Sequence, residues 1–227
     1  GGPGMVKAAY SSGKPALGVG SGNTPIIFDE SCDIKVAVSS VIHSKTFDNG
    51  TICASEQSVI VDASIYEEVK KEFRARKAYI AEGEELVKLK KIVLGANGSM
   101  NAKLVGRPAI EIAQEAGFNV PADTKLIIGE ATSTEISEPL AHEKLFPLLS
   151  MYKADDFDDA VDKADELVQG GGIGHTAGIY IDVVNNQEKL NEFERRMKAC
   201  RILVNTPSAQ GGIGDIYNFK LSPSLTL

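Results

Sequence analysis

Residues 178–204 read GIYIDVVNNQEKLNEFERRMKACRILV, and this run decides the fold class. Gly178 to Ile181 is short, apolar and of strand type. Within Gln187 to Ala199, Leu190, Phe193 and Met197 recur at spacings of three and four, which puts them on one face of a helix. Ile202 to Val204 returns to an extended apolar pattern. A strand, a helix and a strand in succession predict a parallel pair joined by a right-handed crossover.

Working outward, helical and extended patterns alternate from residue 33 without a long low-complexity linker or a repeat of fixed period. The expected architecture is therefore α/β, a parallel-rich sheet flanked by helices. Asp33 is placed to cap a helix carrying Ile34, Val38, Val41 and Ile42 that ends near Ser44 or Lys45. Ser58 to Val61 predicts a strand, and Tyr66 to Lys77 an exposed helix with Val69 and Phe73 four apart. Glu82 to Leu94 predicts another helix, broken by Gly95-Ala96-Asn97-Gly98. Pro108 suits a first helical turn that Gly117 closes, and Lys125 to Ile128 reads as a buried strand. The clearest helix is Asp156 to Gln169, where Phe157, Ala160, Val161, Ala164, Leu167 and Val168 form one stripe; Asp155 is the expected cap and Gly170-Gly171-Gly172 the stop.

Composition narrows the function. The chain has 227 residues, enough for one large domain or two small ones at about 100–200 residues each. With 43% hydrophobic and 24% charged residues it lies far from a disordered segment. Acidic residues number 31 against 24 Lys plus Arg, a formal net charge of −7, which argues against nucleic acid or an anionic membrane surface as partner. No apolar run approaches the roughly 18–20 residues that span a bilayer, and no signal segment opens the chain. Three cysteines without C-x-x-C spacing, with only three histidines, predict reduced thiols, a cytoplasmic location and no metal site. A start at Gly1-Gly2-Pro3-Gly4 without Met and a stop inside Leu221 to Leu227 are the marks expected of a fragment.

Cys53 follows an Asn-Gly turn signal in Phe47 to Gln57, a setting that can expose a thiol, although buried inert cysteine is the commoner fate. Three carboxylates, Asp29, Glu30 and Asp33, disfavour a thiolate at Cys32. Lys198 and Arg201 favour one at Cys200, but that residue enters an apolar strand and is expected to be buried. Gly18-Val19-Gly20-Ser21-Gly22-Asn23 and the opening glycines allow close backbone approach to a dinucleotide, yet neither matches a full G-x-G-x-x-G after a strand. Glu143, in His142-Glu143-Lys144, stands at a strand entrance, where a solvated surface carboxylate is the blander reading. Gln210 to Asp215 reads as a binding or hinge loop.

Taken in order, Gly1 to Tyr10, Phe47 to Gln57, Ala141 to Lys144 and Asn205 to Asp215 resemble the motifs of the aldehyde dehydrogenase superfamily, specifically its coenzyme-A-acylating branch as found in bifunctional aldehyde-alcohol dehydrogenases. The likeness covers essentially the whole chain. It implies Cys53 as the nucleophile, forming a thiohemiacetal and then a thioester that coenzyme A takes up. It implies Glu143 as the carboxylate holding the nicotinamide ribose hydroxyls, Gly2 and Gly20 as backbone beside the cofactor, and Leu227 as an apolar neighbour of the nicotinamide ring. Hydrolytic members carry Glu in a Glu-Leu-Gly-Gly motif to activate water. This chain has Gly18-Val19-Gly20-Ser21 there, so the implied acyl acceptor is coenzyme A.

The resemblance also divides the chain: 1–28 as the remnant of a nucleotide-binding domain, 29–227 as the catalytic domain, truncated at its C-terminus. Most of the nucleotide-binding sheet and an oxyanion-binding Asn would precede Gly1, leaving the Cys53 backbone N–H for that role. The expected partners are a short-chain aldehyde, NAD and CoA, with a homo-oligomer in the full-length parent; the chain alone is expected to bind NAD weakly and turn over little. Two competing readings are an acyl-phosphate reductase of the same superfamily and a non-catalytic assembly fragment. The motif after Asn205 disfavours the first.

Overall fold

The computed structural model describes residues 3–16, 18–171 and 173–214. Seven strands alternate with helices: β1 (Thr24–Phe28), β2 (Glu56–Asp62), β3 (Ala78–Ala81), β4 (Leu126–Glu130), β5 (Leu148–Ala154), β6 (Gly174–Tyr180) and β7 (Ala199–Val204). They form one sheet in the order β3-β4-β5-β2-β1-β6-β7, with every neighbouring pair parallel. The helices are α1 (Pro3–Tyr10), α2 (Ile34–Thr46), α3 (Tyr66–Ala75), α4 (Gly83–Val93), α5 (Ala109–Ala116), α6 (Phe157–Gly171), α7 (Gln187–Arg196) and the short α8 (Ser208–Ile213).

Both faces of the sheet are covered, which is why its strands read as apolar runs rather than as alternating patterns. Ile26 and Phe28 of β1 point to one face with Val59 and Val61 of β2, where α2 and α3 contribute Val38, Val41, Val69 and Phe73. Ile27 and Ile60 point to the other, against Leu89, Ile112, Val161 and Phe193 from α4, α5, α6 and α7. Phe28 anchors the first layer, stacked on Phe73 at 6.5 Å and edge-on to Tyr180 at 5.4 Å. Among the described residues no helix is long and apolar enough to cross a membrane.

Most expected elements are present, with informative differences. Asp33 caps α2 as expected, accepting from the Val36 N–H. Asp156, not Asp155, caps α6, through a 2.9 Å bond from the Asp159 N–H. Helix α7 stops at Arg196 because Met197 turns extended, and β7 then begins at Ala199. The strand β3 has only four residues between two helices, and β5 carries buried Ser150 and Tyr152; neither gives a periodic signal. Of Gln210 to Asp215, expected as a loop, residues 210–213 belong to α8, and Asp215 lies outside the described residues. The expected division at residue 28 falls at the end of β1, which pairs on both sides within this sheet.

Candidate active site

The turn that presents Cys53 is built from backbone that few residues adopt. Asp48 and Asn49 both have φ 48° and Gly50 has φ 77°, three successive left-handed residues. Short polar side chains tolerate this by bonding locally, and here Asp48 accepts from the Thr51 hydroxyl at 2.6 Å. At Gly50 space is also short, since a Cβ there would lie 2.9 Å from the Phe146 carbonyl carbon and 3.0 Å from the Lys45 carbonyl oxygen. The reversal leaves Cys53 half-buried just before β2.

Gly22, just before β1, brings Cys53 and Glu143 together. Its N–H donates to Glu143 Oε1 at 3.0 Å. A Cβ on Gly22 would sit 1.9 Å from the Cys53 carbonyl oxygen and 3.1 Å from Glu143 Oε1, so only glycine admits this approach. Asn23 fixes the same loop, donating to Ala141 O at 2.8 Å and to Leu167 O at 2.9 Å. Open α/β sheets usually hold ligands beyond the carboxyl ends of their strands. Here the cysteine, the glycine and the carboxylate precede β2, β1 and β5, at the amino ends.

Burial pushes the Cys53 thiol above its ordinary pKa; the Glu143 carboxylate adds to that, and Arg201 opposes it. A raised pKa favours the thiol over the thiolate. Glu143 is itself raised by burial, against its bond from Gly22 and the nearby ammoniums of Lys45 and Lys144. Arg201 donates to Thr176 Oγ1 at 3.2 Å, and Thr176 Oγ1 also contacts the His175 ring at 2.9 Å. Burial and then Arg201 hold His175 neutral, its pKa lowered to about 4. Cys32 is pushed up to about 12, by burial first and then Asp29 and Asp33. Cys200, expected to be buried, is exposed on the edge strand β7, its Sγ 3.3 Å from His175 O.

Beneath the site lies a layer of buried polar side chains. Lys45 Nζ donates to Lys144 O at 2.7 Å and Gln57 Oε1 at 3.1 Å. Gln57 Oε1 also accepts from the Lys144 N–H at 2.7 Å. Lys144 Nζ folds back on Leu140 O and His142 O. Glu56, fully buried, accepts from the Ser208 N–H at 2.8 Å and so ties α8 to the start of β2. No group of three or more His, Cys, Asp or Glu suited to a metal ion occurs among the described residues. A cavity of about 670 Å³ lined by Thr132, Glu135, Asp162 and Glu166 includes neither Cys53 nor Glu143.

A model of the aldehyde dehydrogenase family matches residues 2–214. The chain belongs to that family. It is 59% identical over 227 residues to the bifunctional aldehyde-alcohol dehydrogenase AdhE of Escherichia coli K12, covering 100% of this chain and 25% of the relative. A crystal structure of an acetylating aldehyde dehydrogenase from Geobacillus thermoglucosidasius superposes with TM-score 0.94 at 45% identity, over 100% of this chain and 49% of that one. A propionaldehyde dehydrogenase of Rhodopseudomonas palustris, solved with bound CoA and an acylated cysteine, superposes with TM-score 0.87 at 28% identity, over 100% of this chain and 50% of that one. The chain thus spans about a quarter of that curated relative and about half of those solved chains.

In this chain the space around Gly18 is crowded. A Cβ there would meet Val6 Cγ1 at 2.8 Å and the Tyr10 ring at 3.2 Å. The Tyr10 hydroxyl also bonds the Gly18 backbone, accepting from its N–H at 2.9 Å. Gly20 donates to Ile173 O at 3.2 Å and lines a groove with Val6, Tyr10 and Val19, apart from the Cys53–Glu143 pair. Gly2 and Leu227 lie outside the described residues. His142 bonds Ile136 O through Nε2 at 2.8 Å. Sequence reading missed the roles of Gly22, Lys45, Gln57, Arg201 and His175, although Gly22 lies in the glycine-rich 18–23 stretch, Gln57 ends the Phe47 to Gln57 motif, and Arg201 was noted only as a neighbour of Cys200.

Proposed function

We propose that the chain is the thiol-bearing part of an acylating aldehyde dehydrogenase that interconverts a short-chain aldehyde, acetaldehyde first, and its acyl-CoA with NAD. Gly18 carries the reading. The position has no carboxylate to activate water, and Val6 and Tyr10 crowd the space a side chain would need, so a thioester on Cys53 awaits a thiol instead.

Glu143 fits a nicotinamide ribose: a half-buried carboxylate, held by the Gly22 N–H, can accept from a diol. NAD, when bound, supplies the hydride acceptor. Cys53 Sγ bonds to the aldehyde carbon, and its proton passes to the carbonyl oxygen, giving a thiohemiacetal. The Cys53 N–H is the donor proposed to stabilise that oxygen, and Arg201 favours the charged sulfur. After oxidation the Cys53 thioester exchanges with the CoA thiol, which takes the acyl group while Cys53 leaves as the thiol. Gly2, Gly20 and Leu227 complete the proposed cofactor contacts. We further assign 29–227 to the catalytic domain and 1–28 to the nucleotide-binding remnant, joined through β1, in a homo-oligomeric cytoplasmic protein.

The test is NADH formation from acetaldehyde by the full-length protein, with and without CoA, for wild type and Cys53→Ala. The reading expects a signal that needs both CoA and Cys53. Acetate release at a comparable rate without CoA would replace it with a hydrolytic one.

A further inference from the structure

The residues bearing the site need to be held, because Cys53 and Glu143 both lie in irregular segments ahead of their strands. The segment 140–144, the strap that carries Glu143, is stiffened from within: Lys144 Nζ donates to Leu140 O at 2.7 Å and His142 O at 2.5 Å. Ser150 and Asn23 bind its Leu140 and Ala141 carbonyls. Its tie to the segment leading from Cys53 into β2 runs through Lys45 and Gln57. One oxygen, Gln57 Oε1, accepts from both Lys45 Nζ and the Lys144 N–H, while Lys45 Nζ also donates to the Lys144 carbonyl. Gln57 Nε2 in turn donates to Ser55 O at 3.2 Å, two residues past Cys53.

We propose that Lys45 is a positioning residue, whose ammonium clamps the Glu143 strap to the Cys53 segment and so sets how the site grips its coenzyme. The inference rests on Glu143 being the coenzyme-holding carboxylate. Its physical basis is that Lys45 is fully buried. An ammonium out of water is costly, and methionine would fill the same space without that penalty. What lysine adds is directional donors reaching two chain segments at once, and a positive charge against Glu143 and Glu56. Burial drags the ammonium down to about 7 while those two carboxylates favour the charged form; burial, and then Lys45, lowers Lys144 as well.

The experiment compares Lys45→Met, Gln57→Met, the double variant and Glu143→Gln in the full-length protein. Steady-state kinetics with acetaldehyde, CoA and NAD are read beside native-state trypsin cleavage after Lys144. Lys45→Met is expected to raise KM for NAD about tenfold, equivalent to about 1.4 kcal/mol, and KM for acetaldehyde by less than about twofold. Gln57→Met should move KM in the same sense even where Lys45→Met folds poorly. The double should cost little more than the worse single variant, as members of one network do. Cleavage after Lys144 should accelerate about tenfold while cleavage after the exposed Lys77 stays constant, a contrast that general destabilisation does not produce. If cleavage after Lys144 and KM for NAD both stay at wild-type values, the clamp is wrong. If Glu143→Gln leaves KM for NAD unchanged, the reading of Glu143 fails, and the coenzyme role of the clamp fails with it while the cleavage result still reports the strap.

Discussion

Gly22→Ala isolates the contact on which the site depends. The added Cβ would stand 1.9 Å from the Cys53 carbonyl oxygen and 2.8 Å from its carbon, against backbone rather than a yielding side-chain end. Reaching even 3.0 Å requires the Cys53 segment or the Gly22 loop to retreat by roughly 1 Å, and misplacement on that scale costs on the order of 100-fold in rate. The fold should survive, because overpacking of this kind costs about 1–3 kcal/mol and lowers Tm by about 2–4 °C per kcal/mol in a chain of this size. Gly117→Ala is the matched control. Its φ of 82° strains any side chain, yet nothing lies within 4 Å of the new Cβ, so it should lose about 1 kcal/mol without losing activity. The assay is CoA-dependent NADH formation with acetaldehyde in the full-length protein, paired with the iodoacetamide alkylation rate of Cys53 and calorimetric Tm. A Gly22→Ala variant with kcat/KM within about threefold of wild type would refute the close-approach argument.

The other predictions follow from charge and packing. Because burial and Glu143 raise the Cys53 pKa above 9.0, its alkylation rate should keep climbing with pH through 9 without levelling off near neutrality; Arg201→Met should slow alkylation at pH 8. Glu143 is raised above 4.5 by burial, so the folded chain takes up its proton at a higher pH than the unfolded one does. Its ionised form therefore lowers stability at neutral pH, a penalty relieved as pH falls. NAD affinity should decline in that same direction, with a midpoint above 4.5, and calorimetric titrations of Glu143→Gln should show no such decline. Phe73→Ala removes a fully buried ring stacked on Phe28 and should cost about 3–5 kcal/mol in urea titrations.

The layers of the fold were legible where local signals agree with tertiary burial. The stripe of α6, the cap at Asp33 and the left-handed Gly117 each follow from a local rule, and the 178–204 run gave the parallel pair β6–β7 correctly. Strand β5 was legible only as the strand that follows Glu143 and not in its extent, because a strand buried on both faces has no alternation and Ser150 interrupts its apolar run. Within the candidate site, Cys53 and Glu143 stood out through the motifs around them. Lys45 did not: on helical spacing alone it is one more cation at a helix end, and only the three-dimensional arrangement shows it fully buried. Cys200 misled for the complementary reason, since sequence does not reveal that its strand forms an edge.

The two ends of the sheet are tied together differently, and the proposed site lies at one of them. At the carboxyl ends, aspartates build the turns: Asp29 accepts from the Ser31 N–H, Asp62 from the Ser64 N–H and Asp182 from the Val184 N–H, all within 3.0 Å. Asp29 also pairs with Lys189 at 2.8 Å, tying α7 to β1. The three turn bonds are short-range and set by adjacent residues, the ordinary way a chain leaves a strand, while Lys189–Asp29 and Lys70–Glu130 add long-range ties at the same end. At the amino ends the bonds run between segments distant in sequence, from Gly22 to Glu143, Lys45 to Lys144 and Ser208 to Glu56. A turn stabilised locally tolerates change elsewhere, whereas a site assembled from remote segments depends on every tie that fixes their relative position. Substitutions at the amino edge should accordingly lose activity well before they lose stability. Those at the carboxyl edge should lower Tm while leaving the reactivity of Cys53 intact.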